Sequence, residues 1–207
     1  MSNLSDVIGG ASMYGSLTNI AFVNDRFCNM NSAIFFNFSS QGLQVPPGVY
    51  FSADFTLTAW LYIKETTSYN SRLIDFGNID YTDNVFVFFN SMKITYIIQV
   101  NSGLNYRMST NSTLELNKWY HITITLNGTT GSVYLNGRLA VSQTVIVPPN
   151  VLRNYNYIGK GRPIAVYDDL KLYQGAMSQE QILNDYIISS NYGNIFFFSK
   201  IAIYIFF

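Results

Sequence analysis

The chain has 207 residues, with twelve basic residues against twelve acidic ones, 48% apolar residues and only 12% charged ones. That length supports one domain with a sizeable core, and the composition is too apolar for a disordered chain. No basic patch or charge run is visible, so nucleic acid is excluded as an expected partner.

The start, "MSNLSDVIGG", lacks the basic region and apolar core of a signal peptide. The sole cysteine, Cys28, rules out an intrachain disulfide. That fits a reducing compartment, and equally a bridge-free β domain outside the cell. Sequons at Asn3, Asn37, Asn111 and Asn127 are a weak signal, because chance supplies them in a chain rich in Asn, Ser and Thr.

Strict alternation begins at "FTLTAWLYI", which puts Phe55, Leu57, Ala59, Leu61 and Ile63 on one face. "VFVFF" at 85–89 is continuous, as in a strand covered on both faces. "KITYIIQV" alternates Ile94, Tyr96, Ile98 and Val100 against Lys93, Thr95, Ile97 and Gln99. From Trp119 to Leu126 the pattern sets Tyr120, Ile122, Ile124 and Leu126 against Trp119, His121, Thr123 and Thr125. "SVYLN" and "GRLAV" then complete a three-stranded meander across Asn136-Gly137, a dipeptide suited to tight hairpin turns. "DLKLY" alternates once more. Polar turn clusters separate these runs, and the pattern predicts a sandwich or barrel of antiparallel strands.

One helix is well signalled. In "AMSQEQILNDY", Ser178 is an N-cap and Gln181 completes a capping box, with Met177 and Ile182 placed as a hydrophobic staple. The spacing predicts roughly two to three turns beginning at Gln179. The last 14 residues, "NIFFFSKIAIYIFF", are nearly all apolar. Three readings stay open for them: the opening of a truncated membrane span, an aggregation-prone edge, or non-native sequence from an AT-rich reading frame. The third is preferred, and residues 191–207 are set apart from a domain over 1–190.

The one histidine, His121, stands beside two threonines, and its local sequence offers no nucleophile, carboxylate or second metal ligand. It reads as an imidazole bonded across strands or to a loop carbonyl.

"W-Y-H-I", a hairpin and "V-Y-L-N-G" together resemble the core signature of laminin-G-like domains, within the concanavalin A-like lectin/glucanase superfamily. "DFTLTAWLY" resembles its first long core strand, "RLIDFGN" the next strand and turn, and "YDDLKLYQGAMSQEQI" its closing strand and short helix. "DRFCNMNSAIFFN" resembles the stretch leading into the first sheet, although glycine is more usual where Cys28 stands. The resemblance spans roughly residues 6–188 and implies a jelly-roll β-sandwich of two antiparallel sheets with one short helix after the last strand. It also implies a further strand ahead of "DVIGG", which would lie before Met1 and whose lack would leave a sheet edge unpaired. Trp60 and Trp119 match core positions of the family.

The resemblance further implies one Ca2+ at the sandwich rim, held by hard oxygen ligands. Asp83, directly before a strand, stands where the family has its side-chain ligand, and Asp80 shares the loop. The carbonyl of Val100 would join Asp83, and Asp168 is a second candidate. All three aspartates also suit ordinary turns. Tyr69, Tyr81 and Tyr106, in or near loops, are candidates for a ligand-binding rim. The superfamily's glycosidases carry aligned acids on one strand, whereas here Glu65, Glu115 and Glu180 are scattered, and the adjacent Asp168 and Asp169 are expected on opposite strand faces. The expected function is therefore a non-catalytic recognition or adhesion module that binds glycan or extracellular protein through rim loops, at the cell surface or outside the cell within a larger protein. A structural spacer and a diverged glycoside hydrolase are the competing classes. A membrane partner enters only if the tail is a truncated anchor.

Overall fold

The computed structural model describes residues 14, 20–37, 42–65, 71–79, 82–100, 104–161 and 163–191. Tyr69, Tyr81, Asp80 and the apolar tail beyond Asn191 lie outside the described residues.

Alternating sequence becomes two stacked antiparallel sheets. The first has seven strands in the order β1 (Ile20–Val23), β2 (Ala33–Phe36), β13 (Ala165–Gln174), β4 (Phe55–Ile63), β9 (Trp119–Asn127), β10 (Thr130–Leu135) and β11 (Arg138–Thr144). The second has six, in the order β3 (Leu43–Val45), β12 (Tyr155–Ile158), β5 (Ser71–Gly77), β6 (Val85–Asn90), β7 (Lys93–Val100) and β8 (Leu104–Ser109). This is the expected jelly-roll sandwich. Its core is where the inner faces meet: Leu57, Leu61, Ile122 and Ile124 from one sheet, and Phe76, Val87, Ile98 and Ile158 from the other. Tyr14 and Gln44 exchange two backbone bonds of 2.9 Å, so that position of the β3 edge is paired from within the chain.

The meander turns as expected at Asn136-Gly137, where both residues have positive φ, 50° and 75°. The hairpin between β6 and β7 does the same at Ser91 and Met92, with φ of 49° and 61° and neither Asn nor Gly to favour it. Met92 holds its place because its side chain packs against the core and its carbonyl accepts from the Leu114 N–H. Packing there outweighs turn propensity.

Alternation as strict as that of β4 and β9 suits strands buried on one face only. The outer face of the seven-stranded sheet is covered. Thr56, Thr58, Thr123, Thr125 and His121 are all buried. The cover is α1 (Gln179–Asn191), which packs across this face. Its capping box forms as read: Gln181 N–H donates to Ser178 Oγ at 3.2 Å, and Ser178 N–H to Gln181 Oε1 at 2.8 Å. The 13-residue helix exceeds the two to three turns expected from sequence. Its far end is held by tertiary bonds. Trp60 Nε1 donates to Ser189 Oγ at 3.1 Å, and Arg26 donates to the Ser189 carbonyl through Nε and Nη2. Among the described residues no helix is long and apolar enough to cross a membrane.

Ser91→Asn should stabilise the protein by about 0.5–1 kcal/mol, because Asn tolerates the left-handed backbone that Ser91 must adopt. A urea unfolding midpoint measures it, and an unchanged or lower midpoint refutes the turn assignment.

Candidate functional site

The end of the sandwich where β6 begins and β7 finishes gathers the rim. Gln99 N–H donates to the Asn84 carbonyl at 2.8 Å, which sets Asp83, in the turn before β6, at the same end of the sheet as Val100, the last residue of β7. Asp83 has φ of 57°, a left-handed turn conformation that Asp tolerates. Beneath it lies Arg153, wholly buried. Its Nε donates to the Asp83 carbonyl at 2.8 Å, its Nη1 to the Tyr50 carbonyl and its Nη2 to the Pro149 carbonyl at 3.2 Å. Burial lowers this guanidinium to about 10, against the opposing pull of Asp83 and Tyr96, so it stays charged at neutral pH. One cation thus ties three loops together through their carbonyl oxygens.

Two of these loops and the end of β13 shape a cleft of about 640 Å³, lined among others by Val49, Tyr50, Phe51, Asp54, Tyr173 and Gln174. Asp54 steadies its wall, accepting from the Gly128 N–H at 2.7 Å. Edge-on contacts of Phe51 with Phe55 and Phe76, at 4.8 and 5.4 Å, fix its floor.

The implied calcium finds only part of its shell here. The Asp83 carboxylate and the Val100 carbonyl are two donors, where calcium takes six to eight oxygens. The Asp83 carbonyl already accepts from Arg153. Among the described residues no group of three or more His, Cys, Asp or Glu stands together.

Asp168 lies in the other sheet, on β13, away from this rim. It is buried against the Arg26 guanidinium, and Asp169 meets the same guanidinium at 2.6 Å. Adjacent strand residues were expected on opposite faces. A β-bulge between Asp168 and Lys171, with Asp169 at φ 47°, turns both carboxylates to one partner. Burial and then the neighbouring Asp169 push the Asp168 carboxyl up to about 8, against the pull of Arg26. Tyr106 was read as near a loop. It sits inside β8, opposite Ile98, and packs half-buried on the core.

A family model described as the concanavalin A-like lectin/glucanases superfamily matches residues 37–183, from just beyond β2 into α1. The chain belongs to the concanavalin A-like lectin/glucanases superfamily. No curated protein matches the sequence. Among solved structures similar to this superfamily member is the binding domain of Paraclostridial Mosquitocidal Protein 1, at TM-score 0.69 and 17% identity, covering 88% of this chain and 48% of that one. Domain 4 of AbnA, an extracellular arabinanase from Geobacillus stearothermophilus solved with arabinotriose, aligns at TM-score 0.66 and 19% identity, over 88% and 92%. A Trypanosoma rangeli sialidase aligns at TM-score 0.62 and 19% identity, over 91% and 32%. At these identities the likeness is one of fold. The chain spans about half the length of the mosquitocidal binding domain.

In this superfamily member His121 has a carboxylate within reach that its local sequence did not offer. Asp185 comes from α1, with Oδ2 3.2 Å from His121 Nε2, and Lys171 Nζ lies 3.7 Å from Asp185 Oδ1. Trp60 and Tyr186 flank the imidazole at ring separations of 5.2 and 5.9 Å. The imidazole is buried under the helix, which suits a clasp between helix and sheet. Burial pulls the Asp185 carboxyl up, but His121 and Lys171 together hold it below the ordinary 3.8. A depressed carboxyl stabilises the fold fully above its unfolded value and loses that contribution as pH falls through its folded value.

Two outcomes follow from these contacts. Arg26→Ala should lower the unfolding midpoint, because it removes the group that bonds Asp168, Asp169 and the Ser189 carbonyl at once. Adding Asp168→Asn should restore part of that loss in the same urea titration. Wild-type unfolding midpoints should fall between pH 5 and pH 3 more steeply than those of Asp185→Asn. Parallel curves would remove Asp185 from the clasp.

Proposed function

We propose that this chain is a non-catalytic recognition module, which binds glycan through the cleft and loops at the Arg153 end of the sandwich. The observation that carries the reading is the cleft itself, about 640 Å³, with apolar and aromatic walls and a few polar groups, Asp54 and Gln174 among them. Sites of this size and lining suit small ligands. A preformed wall also loses less entropy on binding. One solved domain of the same fold bears on the ligand class: the AbnA domain was solved with arabinotriose. Others are named as binding domains of toxins, among them botulinum neurotoxin serotype G, which favours a role in attachment at a cell surface. Neighbouring acids in the described region are occupied by cations, Asp168 and Asp169 by Arg26 and Asp75 by Arg72 and Lys160, which favours binding over hydrolysis.

Calcium is dispensable in this reading. Asp83 and the Val100 carbonyl would be its ligands, and it would add positive charge to a rim that Arg153 already orders. The melting temperature is therefore expected to be equal in calcium and in chelator. A bound ion at a hundredfold over its dissociation constant would add about 2.7 kcal/mol of stability.

The test is a glycan array followed by calorimetry on any oligosaccharide retained. Tyr173→Ala combined with Gln174→Ala should weaken binding roughly tenfold, about 1.4 kcal/mol. Retention of no glycan, or affinity indifferent to both substitutions, would reject the cleft as the site.

A further inference from the structure

The charge in the cleft is one-sided. Among the described residues that line it, Asp54 is the one carboxylate, and no Lys, Arg or His stands with it. Asp54 is also firmly placed. Its carbonyl accepts from the Gly175 N–H at 2.8 Å, and its Oδ1 accepts from the Gly128 N–H at 2.7 Å. Those two bonds tie the start of β4 to the end of β13 and to the turn between β9 and β10. A carboxylate is an acceptor with about four lone-pair sites. The Gly128 N–H takes one of them and leaves Oδ2 to a ligand. Arg153 gives the cleft no compensating charge. It is wholly buried, and its three nitrogens donate to the carbonyls of Asp83, Tyr50 and Pro149.

The floor has a shape that its own residues do not favour. Phe51 has φ of 60°, a left-handed conformation that is rare for a bulky side chain. Its contacts with Phe55 and Phe76 hold it there. From Phe51 the chain runs along the wall as Ser52, Ala53 and Asp54. Backbone strain of this kind persists where the surroundings over-determine it, and it clusters at ligand sites. At the mouth Val49 and Val147 are 50% and 37% exposed, two aliphatic side chains suited to the C–H face of a sugar ring.

We propose that the cleft selects uncharged glycans, and that Asp54 sets this choice by accepting from sugar hydroxyls and turning acidic sugars away. The inference rests on the glycan-binding reading above and names the class of glycan. A hydroxyl that donates to a carboxylate makes a charge-assisted bond, roughly twice as strong as a neutral one. A uronate, sialate or sulfate in the same place would give up its water, meet a like charge and find no cation. The Gln174 amide both donates and accepts, so it adds hydroxyl recognition without restoring positive charge.

The experiment compares wild type, Asp54→Asn and Tyr173→Ala with Gln174→Ala, each as the whole chain. The array carries neutral oligosaccharides of glucose, galactose, mannose and arabinose beside their uronate and sulfate counterparts, and calorimetry follows on each retained pair. Wild type should bind a neutral member at least tenfold more tightly than its acidic counterpart. Asp54→Asn keeps an oxygen for the Gly128 N–H, so its melting temperature should match that of wild type. Its affinity for the neutral member should fall about tenfold, and the gap between neutral and acidic members should close. Retention of no glycan at all would reject the cleft as a glycan site, and this selection with it. A glycan lost on Tyr173→Ala with Gln174→Ala would keep the cleft. If its acidic counterpart then bound as tightly, or if Asp54→Asn changed neither affinity nor selectivity, the role of Asp54 alone would be overturned.

Discussion

The rim depends on a single buried cation. Arg153 spends its guanidinium on the carbonyls of Asp83, Tyr50 and Pro149, three points otherwise far apart in the chain. A buried charge is tolerated only when its donors are satisfied. The surrounding loops must therefore keep their carbonyls aimed at it. The backbone enforces this from the other side: Arg153 and Gly48 exchange bonds of 2.9 and 3.1 Å, and Asn156 Nδ2 bridges the carbonyls of Pro46 and Arg153. Lysine in this place would have one point charge and no planar fork. The cleft wall at Tyr50 and the Asp83 turn are thus parts of one rigid unit. Loops held this way keep one shape, as recognition from loops on a stiff scaffold requires.

A second arginine does a different job on the opposite sheet. Arg26 is neutralised by Asp168 and Asp169, lies 4.6 Å from the Trp60 ring, and donates to the last turn of α1. Together with the His121–Asp185 contact it clamps the helix onto the seven-stranded sheet. The sandwich is therefore asymmetric. One outer face is sealed by a helix and a charge-balanced cluster. The other carries no helix among the described residues. A β-sandwich needs to bury only its inner faces, so the added helix frees the opposite face and the rim from any structural duty.

Much of this was legible in the residues. The long alternating runs gave β4, β7, β9 and β13, and Asn136-Gly137 gave the hairpin between β10 and β11. Ser178 and Gln181 gave the start of α1. Short strands such as β1, β3 and β12, of three or four residues, are too brief to show a period and exist because longer neighbours pair with them. The Ser91-Met92 turn lacks any Gly or Asn, so only the packing of Met92 explains it. The site was harder to read for a single physical reason. Its groups meet across sheet register and between layers, which no local pattern encodes. Arg153 reaches Asp83 over 70 residues of chain, and the Asp75 cluster draws on Arg72, Asn84 and Lys160. The bulge at Asp168 further overrode the parity rule that had separated two adjacent acids.

The way these acids are held bears on the choice between binding and catalysis. A glycosidase needs two carboxyls about 5–9 Å apart, one of them free to give up a proton to the leaving group. Asp168 has the raised affinity for a proton that such an acid would need, at about 8. Yet it is buried beneath Arg26 and walled off by α1, where no sugar oxygen has a path to it. Asp75 is buried as well, engaged by Arg72 and Asn84 with Lys160 Nζ 3.7 Å away. A carboxylate enclosed by such partners has no open side for a sugar oxygen. Acids tied up in this way weaken the case for hydrolysis and leave recognition to the preformed cleft.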